Sequence, residues 1–137
     1  MGWFSRKKAP KPAPDYAGAH RRRVQQKLDT AESELAKMEQ GLPHIGERLQ
    51  QGHLGAAAIA ARACGFSSAV SRPLEKAQKY REPSGSDEFR YDDVQFYGQD
   101  RVQKAKSLTA EAGANACVEH HDKISKAKEL RRELEKL

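Results

Sequence analysis

The sequence predicts an all-α protein: an elongated helical hairpin or bundle with coiled-coil-like packing and a long C-terminal helix. Three observations carry that prediction. Ala, Glu, Lys, Leu and Arg make up about half of the chain, a share that marks long helices when helical periodicity accompanies it. Apolar residues recur at steps of three and four rather than alternating. Beyond Pro83 no proline interrupts the chain as far as Leu137.

The 137 residues are enough for one domain. Leu, Ile, Val and Phe together supply only about one residue in six, a level that can signal disorder when net charge is high. The periodicity decides for helices. Alanine must then fill much of the core, and alanine buries little area. A thin core and marginal stability of the isolated chain are the expectation.

Residues 1–14 read as an extended basic arm rich in proline. Pro10, Pro12 and Pro14 stand at every second position, which favours a polyproline-like course. The spacing is not P-x-x-P, so the usual SH3-ligand reading fails. Met1-Gly2 opens a myristoylation motif, but Arg6 stands where Ser or Thr is required. Residues 15–82 read as a helical hairpin plus a short third helix. Residues 83–137 read as a loop and the long last helix, with 13–137 as one folding unit.

The first helix is predicted over 15–40, with Asp15 as N-cap. Val24, Leu28, Ala31, Leu35, Met38 and Leu42 form a heptad seam. Gly41 is expected to cap its C-terminus, and Pro43 to open a second helix over 43–64. The second stripe is Ile45, Leu49, Gly52, Ala56, Ile59 and Ala63. Gly65 to Ser71 is a connector. Ser71 is expected to cap a short helix that places Leu74, Ala77 and Tyr80 on one face. Residues 82–86, Glu-Pro-Ser-Gly-Ser, form the clearest loop, and Ser86 can cap the last helix. Phe89, Tyr91, Phe96 and Tyr97 then close the end of the bundle or anchor a partner. The last stripe runs through Val94, Val102, Ala105, Leu108, Ala112, Ala116, Ile124, Ala127, Leu130, Leu134 and Leu137. Asp100–Lys104, Glu119–Lys123 and Asp122–Lys126 have the favourable acid-before-base order along it. Gly98, Gly113 and Asn115 are weak points, and a kink is expected near Gly113.

Chemical motifs are scarce. There is no phosphate-cradling glycine motif, no H-E-x-x-H and no C-x-x-C. Cys117, His120 and His121 share helical spacing, and Cys64 could join them, but a fourth metal ligand is missing. His121, Asp122 and Ser125 are neighbours in sequence without a triad's surroundings. The expectation is therefore a protein without catalytic residues, metal or cofactor, and without a small-molecule substrate.

Charge is more informative. Of the net +6, all lies in residues 1–23, where Arg6, Lys7, Lys8, Lys11, Arg21, Arg22 and Arg23 face one acid, Asp15. Basic residues near a helix N-terminus oppose its dipole. An anionic surface is the expected contact of this region. The cysteine count and the absence of an apolar leader segment suggest synthesis in a reducing, cytoplasmic compartment.

The function expected from these features is that of a structural or assembly subunit. It would dock onto protein subunits of a larger complex, with a virion or phage particle as the first setting to consider. The docking seams would be Leu28, Leu35 and Met38 with Leu130, Leu134 and Leu137. Two alternatives remain open. One is nonspecific nucleic-acid binding by the arm and Arg21–Arg23. The other is a peripheral membrane adaptor anchored by Trp3 and Phe4. Removing residues 1–14 is expected to leave the far-ultraviolet circular dichroism nearly unchanged while weakening attachment to the partner. Unfolding on deletion would instead place the arm in the core.

Overall fold

The structure is a computed structural model that describes residues 15–81 and 91–137, with side chains described for 15–80 and 100–137. The arm, the 82–86 loop, the Ser86 cap, the Val94 side chain and the aromatic side chains of residues 89–97 lie outside these descriptions, as do Trp3, Phe4, Arg6, Lys7, Lys8 and Lys11. Among the described residues four helices form: α1 Tyr16–Gln50, α2 Leu54–Ala63, α3 Ser68–Arg81 and α4 Tyr91–Glu135. There is no strand among the described residues. The all-α class and the long last helix are as the sequence predicts.

Asp15 caps α1 as expected, accepting from the Gly18 backbone N–H at 2.8 Å. The helix does not stop at Gly41. It runs through Pro43 to Gln50, so the expected break at 41–43 is wrong. Packing explains why. Met38 and Ile45 are both buried in one core with α2 and α3, and a break between them would pull one of them out. Gly41 is a point of close approach: an added Cβ would meet Cys64 Cβ at 2.3 Å and Sγ at 2.7 Å. The real stop is Gly52, with φ of 77°. His53 N–H bonds Arg48 C=O at 2.9 Å and Gly52 N–H bonds Leu49 C=O at 3.1 Å, the paired bonds of a Schellman cap. Gly65, with φ of 99°, ends α2 in the same way through Phe66 to Ala61 and Gly65 to Arg62.

Moving the turn to 51–53 changes the face that α2 buries. Leu54, Ala57, Ala58 and Ala61 point inward, while Ile59 and Ala63 are exposed. The predicted stripe through Ile59 and Ala63 is therefore corrected. Nine of the ten α2 residues are apolar or glycine, so composition alone could not choose its buried side.

α3 starts four residues earlier than expected. Ser67 rather than Ser71 caps it: Ser67 Oγ accepts from Ala69 N–H at 3.2 Å. Ser71 is buried, and Pro73 lies inside the helix. Leu74 and Ala77 are buried and Tyr80 is half-buried, on the expected face. Pro73 has no N–H to offer the Ala69 carbonyl one turn earlier. Asn115 Nδ2 of α4 donates to that carbonyl at 2.9 Å instead. Asn115, read from the sequence as a weak point, is a tie between helices. α4 also continues through Gly113 as one helix of 45 residues, roughly 67 Å at about 1.5 Å per residue.

α4 is the spine. Its stretch 101–119 runs antiparallel to α3, and the stretch from 120 onward antiparallel to residues 21–39 of α1. Leu28 and Ala31 meet Ala127 and Leu130, with Leu134 packed beside them, in a two-helix stalk. The second half of α1 joins α2, α3 and α4 in a head, whose core includes Met38, Leu54, Phe66, Val70, Leu74 and Ala105. Among the described residues, eight of the nineteen buried hydrophobics are alanine, which lets the helices approach closely and leaves few large side chains to hold them.

Asn115→Ala should cost about 1 kcal/mol in chemical denaturation, the net worth of one hydrogen bond. With Pro73→Ala already in place, the Ala69 carbonyl regains a backbone donor, and Asn115→Ala should cost clearly less. Equal costs in the two backgrounds would show that Asn115 acts elsewhere.

Candidate interaction surfaces

The fold itself buries half of the seam residues expected to bind a partner. Leu28, Met38 and Leu130 are buried within the chain itself. Leu35 and Leu134 are half-buried, and Leu137 alone of the set remains exposed, at 44%. Polar pairs flank this seam across the two helices. Lys123 Nζ binds Glu34, Arg131 Nε lies 3.1 Å from Glu32 Oε1, and His120 Nε2 lies 3.1 Å from Glu39 Oε1. The expected pairing of Lys123 with Glu119 along α4 gives way to these contacts. Glu119 turns instead to Ser67, accepting from its N–H at 2.8 Å and its hydroxyl at 2.7 Å.

Arg21 is also engaged. Its Nη2 donates to the Leu137 carbonyl at 2.6 Å, at the C-terminal end of α4. The antiparallel pairing thus sets a cation against the negative end of a helix dipole. The unfavourable placement inferred for Arg21 from α1 alone is compensated within the fold. Arg22 and Arg23 remain exposed.

A different surface stands out beside the head. α1 and α2 enclose an open groove of about 590 Å³. Its α2 wall is Ala56, Ile59, Ala60 and Ala63, and Ile59 is 66% exposed. Its α1 wall carries Lys37, Gln40, His44 and Arg48. Among the described residues no acid lines it. The acids on this half of α1 point elsewhere: Glu34 to Lys123, Glu39 to His120 and Glu47 to Gln51. Sequence reasoning missed this groove because it placed Ile59 in the core. The signal present in the sequence was the near-continuous apolar run of α2, too apolar for one buried face.

Cys64 lies at the floor of this groove, buried, and burial pushes its thiol pKa up. Cys117 is exposed. Among the described residues no three His, Cys, Asp or Glu side chains are gathered to hold a metal ion. His120 is engaged with Glu39 rather than with Cys117. Among the described residues no helix is long and apolar enough to cross a membrane. No protein-family model, curated protein or solved structure matches the chain.

The Lys123 hydrogen bond, then its charge, hold the Glu34 carboxyl below the ordinary carboxylate value, against a small opposing effect of burial. A lowered folded-state pKa stabilises the fold above the ordinary value, and the gain is lost as pH falls through the folded one. The pair is exposed, so the effect lies within the ~1 kcal/mol of surface ion pairs. Between pH 6 and pH 3 the wild-type chain should lose more stability than Glu34→Gln, measured by urea unfolding. Equal losses would remove the pair from the stalk's acid sensitivity.

Proposed function

We propose that the chain is a non-enzymatic helical assembly subunit that receives an acidic amphipathic helix of a protein partner in the α1–α2 groove. The observation that carries this reading is Ile59, a large apolar side chain left exposed on the wall of a concave surface. Beside it Lys37, His44 and Arg48 stand without acids in the groove. A helix laid there would bury apolar residues at i, i+3, i+4 and i+7 against α2 and offer carboxylates to α1. Charge also argues against a second copy of the chain as the occupant. Two such grooves face to face would bring like-charged rims together. The leucine seams then build the stalk that presents the groove, rather than forming the contact themselves. A large particle, a virion among them, is a setting that uses subunits of this kind.

Ile59→Asp should leave folding nearly intact, within about 0.5 kcal/mol, because the side chain is largely exposed. A photo-crosslinking residue at position 59, expressed in the native source, should give one dominant protein adduct. The same residue at position 128 on the stalk should not give it, and Ile59→Asp should abolish co-purification of that species. An adduct containing two copies of this chain would replace the proposed partner with self-association. Labelling equal at positions 59 and 128 would remove the groove as the contact.

A further inference from the structure

A second groove lies on another side of the head, between α3 and α4. Two adjoining hollows of about 700 and 290 Å³ share Lys76 and Leu108 and run together. Lys76, Lys79, Arg101 and Lys104 line one end with Tyr80, and Arg72 lines the other with Asn115. Arg72, Lys76 and Lys79 stand four and three residues apart, so they form one stripe along α3. All three are exposed, as is Lys104 on the opposite wall.

Among the described residues, nearby acids are engaged elsewhere. Glu75, the acid of α3 within the stripe's length, pairs with Arg62 of α2. Glu119 is held by Ser67. Among the described residues no acid lines the Tyr80 end of the groove, and Glu111 is the acid at the other end. Asp100, one turn before Lys104, is exposed and lines neither hollow. Arg101 has a structural role, donating to the Lys79 and Tyr80 carbonyls at 3.0 and 2.9 Å with its guanidinium 5.8 Å from the Tyr80 ring centre. It fixes the wall on which the other cations stand.

We infer that this groove binds the phosphate backbone of single-stranded nucleic acid. A groove favours a strand over a flat lipid surface, because its cations converge from two helices on one channel. Cations tracking a backbone beside an aromatic ring are the arrangement that sequence-tolerant strand binding uses. Arg72, Lys76, Lys79 and Lys104 make the phosphate contacts, independently of the N-terminal arm and of the α1–α2 groove.

The test is fluorescence anisotropy of the full chain with a labelled oligothymidylate of about 20 nucleotides. Four phosphate contacts give a slope of log affinity against log salt of about −2.8, at about 0.7 per contact for single strands. Lys76→Gln with Lys79→Gln should flatten the slope by about 1.4 and weaken binding at least about tenfold at low salt. Lys128→Gln with Lys136→Gln removes the same charge from the far end of α4 and should change binding little. Circular dichroism confirms that each variant is folded. Three results would each overturn the inference: no loss in the groove variant relative to the Lys128/Lys136 control, loss confined to Arg22→Gln with Arg23→Gln, or binding to phosphatidylserine vesicles without binding to the oligonucleotide.

Discussion

The arrangement of this protein depends on how α4 holds both ends of α3. Glu119 takes the N–H and hydroxyl of Ser67 at the N-terminal end. Arg101 takes the carbonyls of Lys79 and Tyr80 at the C-terminal end. An acid meets the positive end of the helix dipole and a base meets the negative end. The two α4 residues are eighteen apart, about 27 Å along the helix, and α3 with its cap is about 22 Å long. The side chains close the difference. With Asn115 bound to the Ala69 carbonyl between them, α3 can lie against α4 in one register only. That register places Leu74 and Ala77 in the core and leaves α2 to cover what remains.

The sequence made some of this readable and hid the rest for physical reasons. Asp15 was readable because an N-cap is a local interaction over three residues. The Leu28–Leu130 seam was readable because large side chains at heptad spacing mark a face. Gly41 and Pro43 misled because their local preferences oppose a helix. At this site packing wins: Met38 and Ile45 hold the helix through, and Cys64 needs the room that Gly41 leaves. The ion pairs of α4 misled in another way. A carboxylate four residues from an ammonium gains only a few tenths of a kcal/mol, so a partner on a facing helix readily takes it. Lys123 chose Glu34 and Glu119 chose Ser67.

The chain's two unequal clusters also follow from its composition. With so many alanines the head needs four helix segments around one centre to bury Met38, Leu54, Leu74 and Val70 fully. The stalk has two helices and only Leu28, Leu130 and the half-buried Leu134 as its large residues in that cluster. It relies more on ion pairs that water and salt screen. The stalk should therefore open before the head, and its protection should fall first as ionic strength rises.

Outside residues 1–23 the bases and acids balance, which suggested that only the N-terminal region was basic. Folding breaks that balance without changing any charge. Several helix contacts use specific carboxylates: Glu34 and Glu39 close the stalk, Glu75 ties α2 to α3, and Glu119 caps α3. Their partners are consumed with them, but Lys37 and Arg48 are left on one groove and Arg72, Lys76 and Lys79 on another. Acids holding the helices together thus leave bases on the concave surfaces between them. Both proposed contacts arise from that single division of labour, and neither could be seen by summing charges along the chain.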